Sequence, residues 1–448
     1  MNQKSIRIGA GAGYSGDRIE PAVALAEKGN LDYLVFECLA ERTIALAQMR
    51  KQKDPNAGFD PLLEERMRAT LPICRKNGIT IISNMGAANP FAAAKKTAAI
   101  AADLGLPDLK IAAVLGDDVL DILAHEHFSL LESGDDLDSI RDRIISANAY
   151  LGVAGILEAL VADADVILTG RAADPALFLA PMIHEFEWPV SDYELLGKGT
   201  SLGHLMECAG QITGGYFADP GYKEVPNLAN LGFPIAEVQA DGRFFITKLP
   251  DAGGIVSAAT CKEQLLYEIH NPGSYFTPDL IADFTKVEIR ETGKDQVAIS
   301  GGRGKAPSGY LKVSIGYRDG FVGEGQISYG GSNALARARL ASAIVKDRLQ
   351  QRGLIYQDLR REYIGVNHLY GSALPTPETK EVRVRIVART DDYATAQKIG
   401  NEVETLYTNG PAGGGGVTKS VQEIIAIQSV LLPKERVQPQ VKMIHHVA

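Results

Sequence analysis

Over residues 1–190, short apolar runs alternate with longer stretches of helical periodicity, the signature of repeated βαβ units. The runs Ser5 to Gly9, Tyr33 to Glu37, Thr80 to Ser83, Lys110 to Leu115 and Val166 to Thr169 are apolar or β-branched and give way to glycine or polar residues. They predict a parallel sheet whose strands end along one edge. Helical patterns over Arg18 to Lys28, Pro61 to Asn77, Pro90 to Leu104 and Ile140 to Ala162 supply the crossovers. Right-handed crossovers bring the loops after the strands to one crevice, where open α/β sheets bind ligands.

After Trp188 the pattern changes to loops rich in Gly and Pro, followed by strands of looser alternation: Phe244 to Lys248, Lys286 to Ile289, Gln296 to Ser300 and Leu311 to Ile315. Helices are predicted over Ala334 to Gln350 and Tyr393 to Leu406, with a strand over Glu381 to Ala388 between them. A chain of 448 residues exceeds one ordinary core. The expectation is an N-terminal, Rossmann-like α/β domain over residues 1–190 and an α+β domain over 191–448 that completes the site. The tail from Ile424 to Ala448 is apolar, then basic and polar, and suits packing on the body or on a partner.

Hydrophobic residues at 45% and charged residues at 23% fit a globular protein. The net charge of -9, with no clustered basic face, disfavours nucleic acid and anionic membranes as partners. Met1 to Gly9 carries no signal core, and no run reaches the roughly 18 apolar residues of a membrane span, so a cytoplasmic protein is expected. Cys38, Cys74, Cys208 and Cys261 are too scattered for a disulfide framework or a zinc site. Only Cys208 is retained as a candidate nucleophile.

The first loop, from Gly9 to Arg18, joins a strand to a helix, the setting in which glycines let backbone amides approach an anion. Gly11, Gly13 and Gly16 spell the dinucleotide pattern, and Glu37 ends the next strand where a ribose-binding acid would sit. Asp17 at the helix start opposes a pyrophosphate, and a turn serving only close packing is the alternative. Other strand ends carry Asn84 to Pro90 with Asn89, then Asp117 and Asp118, then Arg171 and Asp174. Arg18 and Arg171 suit bidentate capture of a carboxylate or phosphate. The acids suit proton transfer or a divalent ion such as Mg²⁺, with helix capping as the alternative for Asp17, Asp118 and Asp174.

His204 and Glu207 lie three residues apart and share a helix face, as a proton shuttle, a metal pair or a hydrogen-bonded junction. Lys248 with Gly253 and Gly254 forms a glycine-flanked cation, and Asn409 leads into the glycines at 413 to 416, a ligand-covering loop or a tight contact. His125, His127, His184, His270, His368, His445 and His446 show no ligand spacing.

Several segments together resemble the acyclic terpene utilisation (AtuA) family over nearly the whole chain: Gly16-Asp17-Arg18, Leu31 to Leu34, Asn84 to Pro90, Ala147 to Gly152, Thr169-Gly170-Arg171, Gly203 to Gly215, Gln264 to Ile269 and Tyr407 to Pro411. The resemblance implies a setting in which citronellol- and geraniol-type acids are degraded as CoA thioesters. It implies too that a ferredoxin-like domain of longer members is missing after Ile424 and supplied by a small partner subunit. It anchors the first loop on Gly16-Asp17-Arg18, which makes NAD an unlikely cofactor. The expected function is an enzyme of carboxylic acid or acyl-CoA catabolism, a hydratase or lyase. Arg18 and Arg171 would hold the anionic group, and Asp17, Asp117 or Glu207 with His204 would move the proton. Amides of Gly11, Gly13 and the Asn84 loop would steady charge on oxygen. The alternatives are an NAD(P)-dependent oxidoreductase and a non-catalytic subunit of a two-component complex. A homo-oligomer is expected from size and class alone.

Overall fold

The first apolar run folds as β1 (Ser5–Ala12). It is followed by β2 (Tyr33–Phe36), β3 (Thr80–Ser83), β4 (Ile111–Leu115) and, after β5 (Ile144–Ala149), by β6 (Val166–Thr169). These ranges come from a computed structural model, which describes residues 4–371, 373 and 379–444. His445 and His446 therefore lie outside the described residues. The strands β1, β2, β3, β6 and β4 pair in that order, all parallel. β2 and β6 are buried throughout, which is why they read as unbroken apolar runs rather than alternating ones.

The helices α1 (Glu20–Lys28), α2 (Glu41–Lys53), α3 (Leu63–Asn77), α4 (Pro90–Asp103), α5 (Leu120–Leu123) and α6 (Ala154–Val161) occupy the crossovers. From β3 the chain passes to β4 and then returns, so that β6 fills the place between them. This reversal sets the loops after β3 and β6 side by side. A Cβ at Gly86 would lie 2.4 Å from the Thr169 carbonyl oxygen, so only glycine permits that approach. After β6 come α7 (Ala176–Phe186) and α8 (Tyr193–Met206).

The chain then extends the same sheet. β7 (Pro234–Gln239) pairs antiparallel with β1, and β8 (Phe244–Lys248) with β7. After α9 (Ala258–Leu266), β9 (Tyr275–Phe276) and β10 (Ile281–Asp283) come β11 (Glu288–Gly293), β12 (Gln296–Ser300) and β13 (Arg303–Lys305). β11 and β12 continue the large sheet, whereas β13, β10 and β9 form a small one. The large sheet is mixed and ten-stranded, and at its far edge β18 (Gln440–Ile444) pairs antiparallel with β4. The tail thus packs on the body over Gln440–Ile444.

Three expectations need correction. The sheet is not purely parallel. Ile140 to Ala162 is not one helix but β5 and α6, because the β-branched Ile144 and Ile145 favour a strand and Gly152 lies where a Cβ would fall 2.2 Å from Asp279. No division falls at residue 190, since β7 and β8 hydrogen-bond into the sheet begun by β1. The compact units are instead Met1–Gly316 with Ile427–Ala448, and Tyr317–Ala426.

In the second unit the chain enters on β14 (Tyr310–Gly330) and runs through α10 (Ala334–Gln351), β15 (Gln357–Ile364), β16 (Glu381–Thr390) and α11 (Tyr393–Glu404) before leaving on β17 (Gly415–Pro433). The strand order β15-β16-β14-β17 is a split βαβ arrangement. β16 shows the period of two: Val382, Val384, Ile386 and Ala388 enter the core, while Arg385 and Arg389 on the other face pair with Glu324, Glu362 and Asp319.

Helix α8 approaches β13 so closely that a Cβ at Gly197 would lie 2.0 Å from the Arg303 carbonyl carbon. Gly197→Ala should therefore destabilise the protein by about 1–3 kcal/mol through overpacking, despite alanine's better helix propensity. A thermal melt checks this, and an unchanged or higher midpoint would contradict the close approach.

Candidate functional site

The loops after β1, β2 and β6, the C-terminal end of α8, parts of residues 267–278 and 308–312, and Leu431 enclose a cavity of about 1120 Å³ within the first unit. That is slightly above the usual range of about 300–1,000 Å³ for small-molecule sites.

The first loop is organised from within. The Asp17 carboxylate accepts hydrogen bonds from the amides of Gly13 at 2.9 Å and Arg18 at 2.8 Å. Burial, the largest influence, raises its pKa against those two bonds. Behind the loop lies Arg66 of α3, fully buried, donating to the carbonyls of Ser15 at 2.8 Å and Asp17 at 3.1 Å and to Asp60 at 3.1 Å. A Cβ at Gly13 would lie 2.5 Å from the Cys208 carbonyl carbon, so this glycine seats the loop on the backbone beyond α8. Gly11 faces the Phe36 ring and Gly16 the Tyr14 ring. These glycines serve close packing. The residues do not fit a dinucleotide: Asp17 takes the Gly13 amide, and Glu37, whose Oε1 accepts from the Leu39 amide at 2.9 Å and Asn84 Nδ2 at 2.8 Å, has its carboxyl raised by burial well above the usual range, unlike the ionised acid a ribose requires.

The loop after β6 carries the densest charge. Arg171 is 2% exposed, and its guanidinium lies 3.5 Å from Asp174 Oδ1, donates to the Leu39 carbonyl and stacks on the Tyr150 ring at 4.0 Å from the centroid. Tyr150 donates its hydroxyl to Glu41, whose carboxyl, against burial, is held down to about 2 by Arg171 and this bond. Asp174 is only partly covered, and its carboxyl is pushed up to about 7, first by burial and then by the charges of Glu207, Glu41 and Glu268, with Arg171 pulling the other way. Burial and the Asp174 charge likewise raise Glu37 well above the usual carboxylate range.

On α8, His204 Nδ1 faces Glu207 Oε1 at 2.8 Å, and Nε2 faces the Leu265 carbonyl at 3.2 Å. A carbonyl only accepts, so Nε2 carries a proton. Burial works against a charged ring, but the Glu207 carboxylate outweighs it, and the His204 pKa is raised. No ring nitrogen is left for a substrate. Burial pushes the neighbouring Cys208 thiol up, away from nucleophilic thiolate.

Among the expected site residues, Gly13, Asp17, Arg18, Arg171, Asp174, His204 and Glu207 line the cavity, joined by Glu37, Glu41, Tyr150 and Lys312. Gly11, Gly16, Asn84, Asn89, Asp117, Lys248 and Asn409 do not. Asn84 bridges Glu37 and the Cys38 amide behind the wall. Asn89 caps α4. Lys248 is bound to the Ala252 carbonyl at 2.8 Å and to Asp295 at 3.5 Å, and Asn409 belongs to the second unit. Asp117 accepts from Asn148 and from the Arg171 amide, both at 2.9 Å, and so anchors the loop after β6. Of the three proposed capping acids only Asp118 takes a first-turn amide, that of Leu120. Among the described residues the one cluster of three metal-ligating side chains is His127, Asp136 and Asp138; it is exposed, and none of the three lines the cavity.

At the mouth the character changes. Tyr14, Leu131, Tyr216, Leu228, Phe276, Tyr310 and Leu431 are all at least 43% exposed and all face the cavity. Exposed apolar side chains gathered around one cavity suit an apolar ligand.

The family model for acyclic terpene utilisation family protein AtuA matches residues 6–443, and so includes every segment of the cavity wall. The chain belongs to the AtuA family. No curated protein and no solved structure shows significant similarity to it. Among the described residues of this AtuA-family chain, no helix is long and apolar enough to cross a membrane.

The Asp117 anchor yields a pH signature. Burial raises its carboxyl from 3.8 to about 6, so the folded state binds the proton more tightly than the unfolded chain. The resulting stability is present below pH ~4 and is lost as pH rises through ~6. In Asp117→Asn, the stability difference between pH 4.5 and 7.5 should change by about 2 kcal/mol relative to the parent chain. Denaturant titrations at both pH values measure it, and an identical pH dependence would contradict the assignment.

Proposed function

We propose that this AtuA-family chain is a catabolic enzyme, a hydratase or lyase working beside a carbonyl, with Asp174 as the group that moves the proton. The observation that carries this reading is a carboxyl held near 7 on a cavity wall, 3.5 Å from a buried guanidinium. A general base or acid works best when its pKa lies near the operating pH. In the dehydrating direction the Asp174 carboxylate takes the proton α to the carbonyl, and the C–H electron pair becomes an enolate. The enolate then expels the β-hydroxyl, which leaves as water with a proton from Glu37, a carboxyl that burial raises well above the usual carboxylate range. Hydration is the reverse. Two carboxyls driven to different protonation states by their surroundings are the usual basis for such a division of labour.

The apolar mouth and charged floor together favour a substrate with a polar head and an apolar chain, in keeping with terpene utilisation. Asp174→Asn, which keeps shape but cannot accept the proton, should lower turnover about 10²- to 10⁴-fold while ligand binding persists. Cys208→Ala should leave turnover unchanged. Steady-state assays of hydration and dehydration on acyl substrates test both, and full activity in Asp174→Asn would remove the proposal.

A further inference from the structure

We infer that the cavity floor receives an uncharged oxygen function, a thioester carbonyl or a hydroxyl, on an apolar chain, and disfavours the free carboxylate of the same chain. The inference rests on reading this cavity as the substrate site, but not on the role given to Asp174.

Each cation in the wall already has a carboxylate. Arg171 has Asp174 at 3.5 Å, His204 has Glu207 at 2.8 Å, Lys312 has Glu41 at 3.5 Å and Arg18 has Glu20 at 3.6 Å. Arg171 is committed further, to the Leu39 carbonyl and the Tyr150 face. Beyond these partners Asp17 and Glu268 also line the cavity, with no cation of the wall left over for them, and Glu37, whose carboxyl burial raises well above the usual range, supplies an O–H rather than a countercharge. A ligand carboxylate would therefore meet surplus negative charge and no vacant cation, and like charges brought together in a desolvated site cost several kcal/mol. This reverses the expectation that Arg18 and Arg171 capture an anionic group. An uncharged carbonyl needs only a donor, which a tyrosyl hydroxyl or the raised Glu37 carboxyl supplies, and a hydroxyl can in addition donate to the carboxylates. The chain has its own place: Tyr216, 90% exposed, Phe276 at 64% and Leu131 at 52% present apolar surface at the mouth that a hydrocarbon would cover.

The test is calorimetry of the full chain at pH 7 with three ligands sharing one chain: octanoate, 1-octanol and S-octanoyl-N-acetylcysteamine. The thioester or the alcohol should bind at least about tenfold more tightly than octanoate, and which of the two leads identifies the head group. In Asp174→Asn, with one negative charge removed, octanoate should gain about tenfold while the better uncharged ligand changes little. Octanoate binding as tightly as the uncharged pair, or none of the three binding, would overturn the inference. Because the readout is affinity, a fully active Asp174→Asn that keeps the preference would sink only the catalytic role.

Discussion

The burial of the Arg171 guanidinium at the end of β6 is the constraint on which the site depends. Taking a charge from water costs several kcal/mol unless it is paired and hydrogen-bonded. Here Asp174, the Leu39 carbonyl and the Tyr150 ring all compensate it, and Asp117 fixes its backbone. Asp117 can come that close only because residue 170 is glycine: a Cβ there would lie 2.4 Å from its carboxylate. The same charge pulls Glu41 down and partly offsets the upward push on Asp174 and Glu37. The cation lowers all three carboxyls, and their differing burial and carboxylate neighbours leave Glu41 low while Asp174 and Glu37 stay raised.

The fold delivers these groups to one place by two routes. The parallel strands bring the loops after β1, β2 and β6 to one edge, as the crossover rule requires. The other wall comes from α8, whose glycines allow intimate backbone contact: Gly203 faces Pro175 and Gly197 faces Arg303. Gly13 then seats the first loop against Cys208. The result is a polar, largely buried floor and a mouth of exposed Tyr, Phe and Leu side chains, an arrangement matched to an amphipathic ligand.

Much of the parallel sheet was legible, because strands buried on both faces must be written as apolar runs. Thr80–Ser83 and Val166–Thr169 fall where the pattern places them. Less legible were the antiparallel extensions, since β7 and β18 pair with β1 and β4, strands far away in sequence. The stretch Ile140 to Ala162 misled because its apolar residues satisfy either period. At the site, Asp17, Arg171 and Asp174 were visible as polar residues in glycine-rich loops and His204 with Glu207 as a pair on one helix face, but the pairing of Arg171 with Asp174 and Tyr150 was not. Asp117 and Asn84 stand behind the wall because strand-end position does not reveal which way a side chain faces. Arg66 was overlooked, although it interrupts the buried stripe of Leu63, Met67, Thr70, Leu71 and Cys74, a position no arginine takes without a partner.

The central claim is that Asp174 exchanges its proton near neutrality. The most direct measurement is a pH series of infrared difference spectra between the parent chain and Asp174→Asn. The account predicts a protonated carboxyl band that belongs to Asp174, is present at pH 5.5 and fades with a midpoint near 7. A residue already ionised at pH 5.5, with no such band, would contradict it.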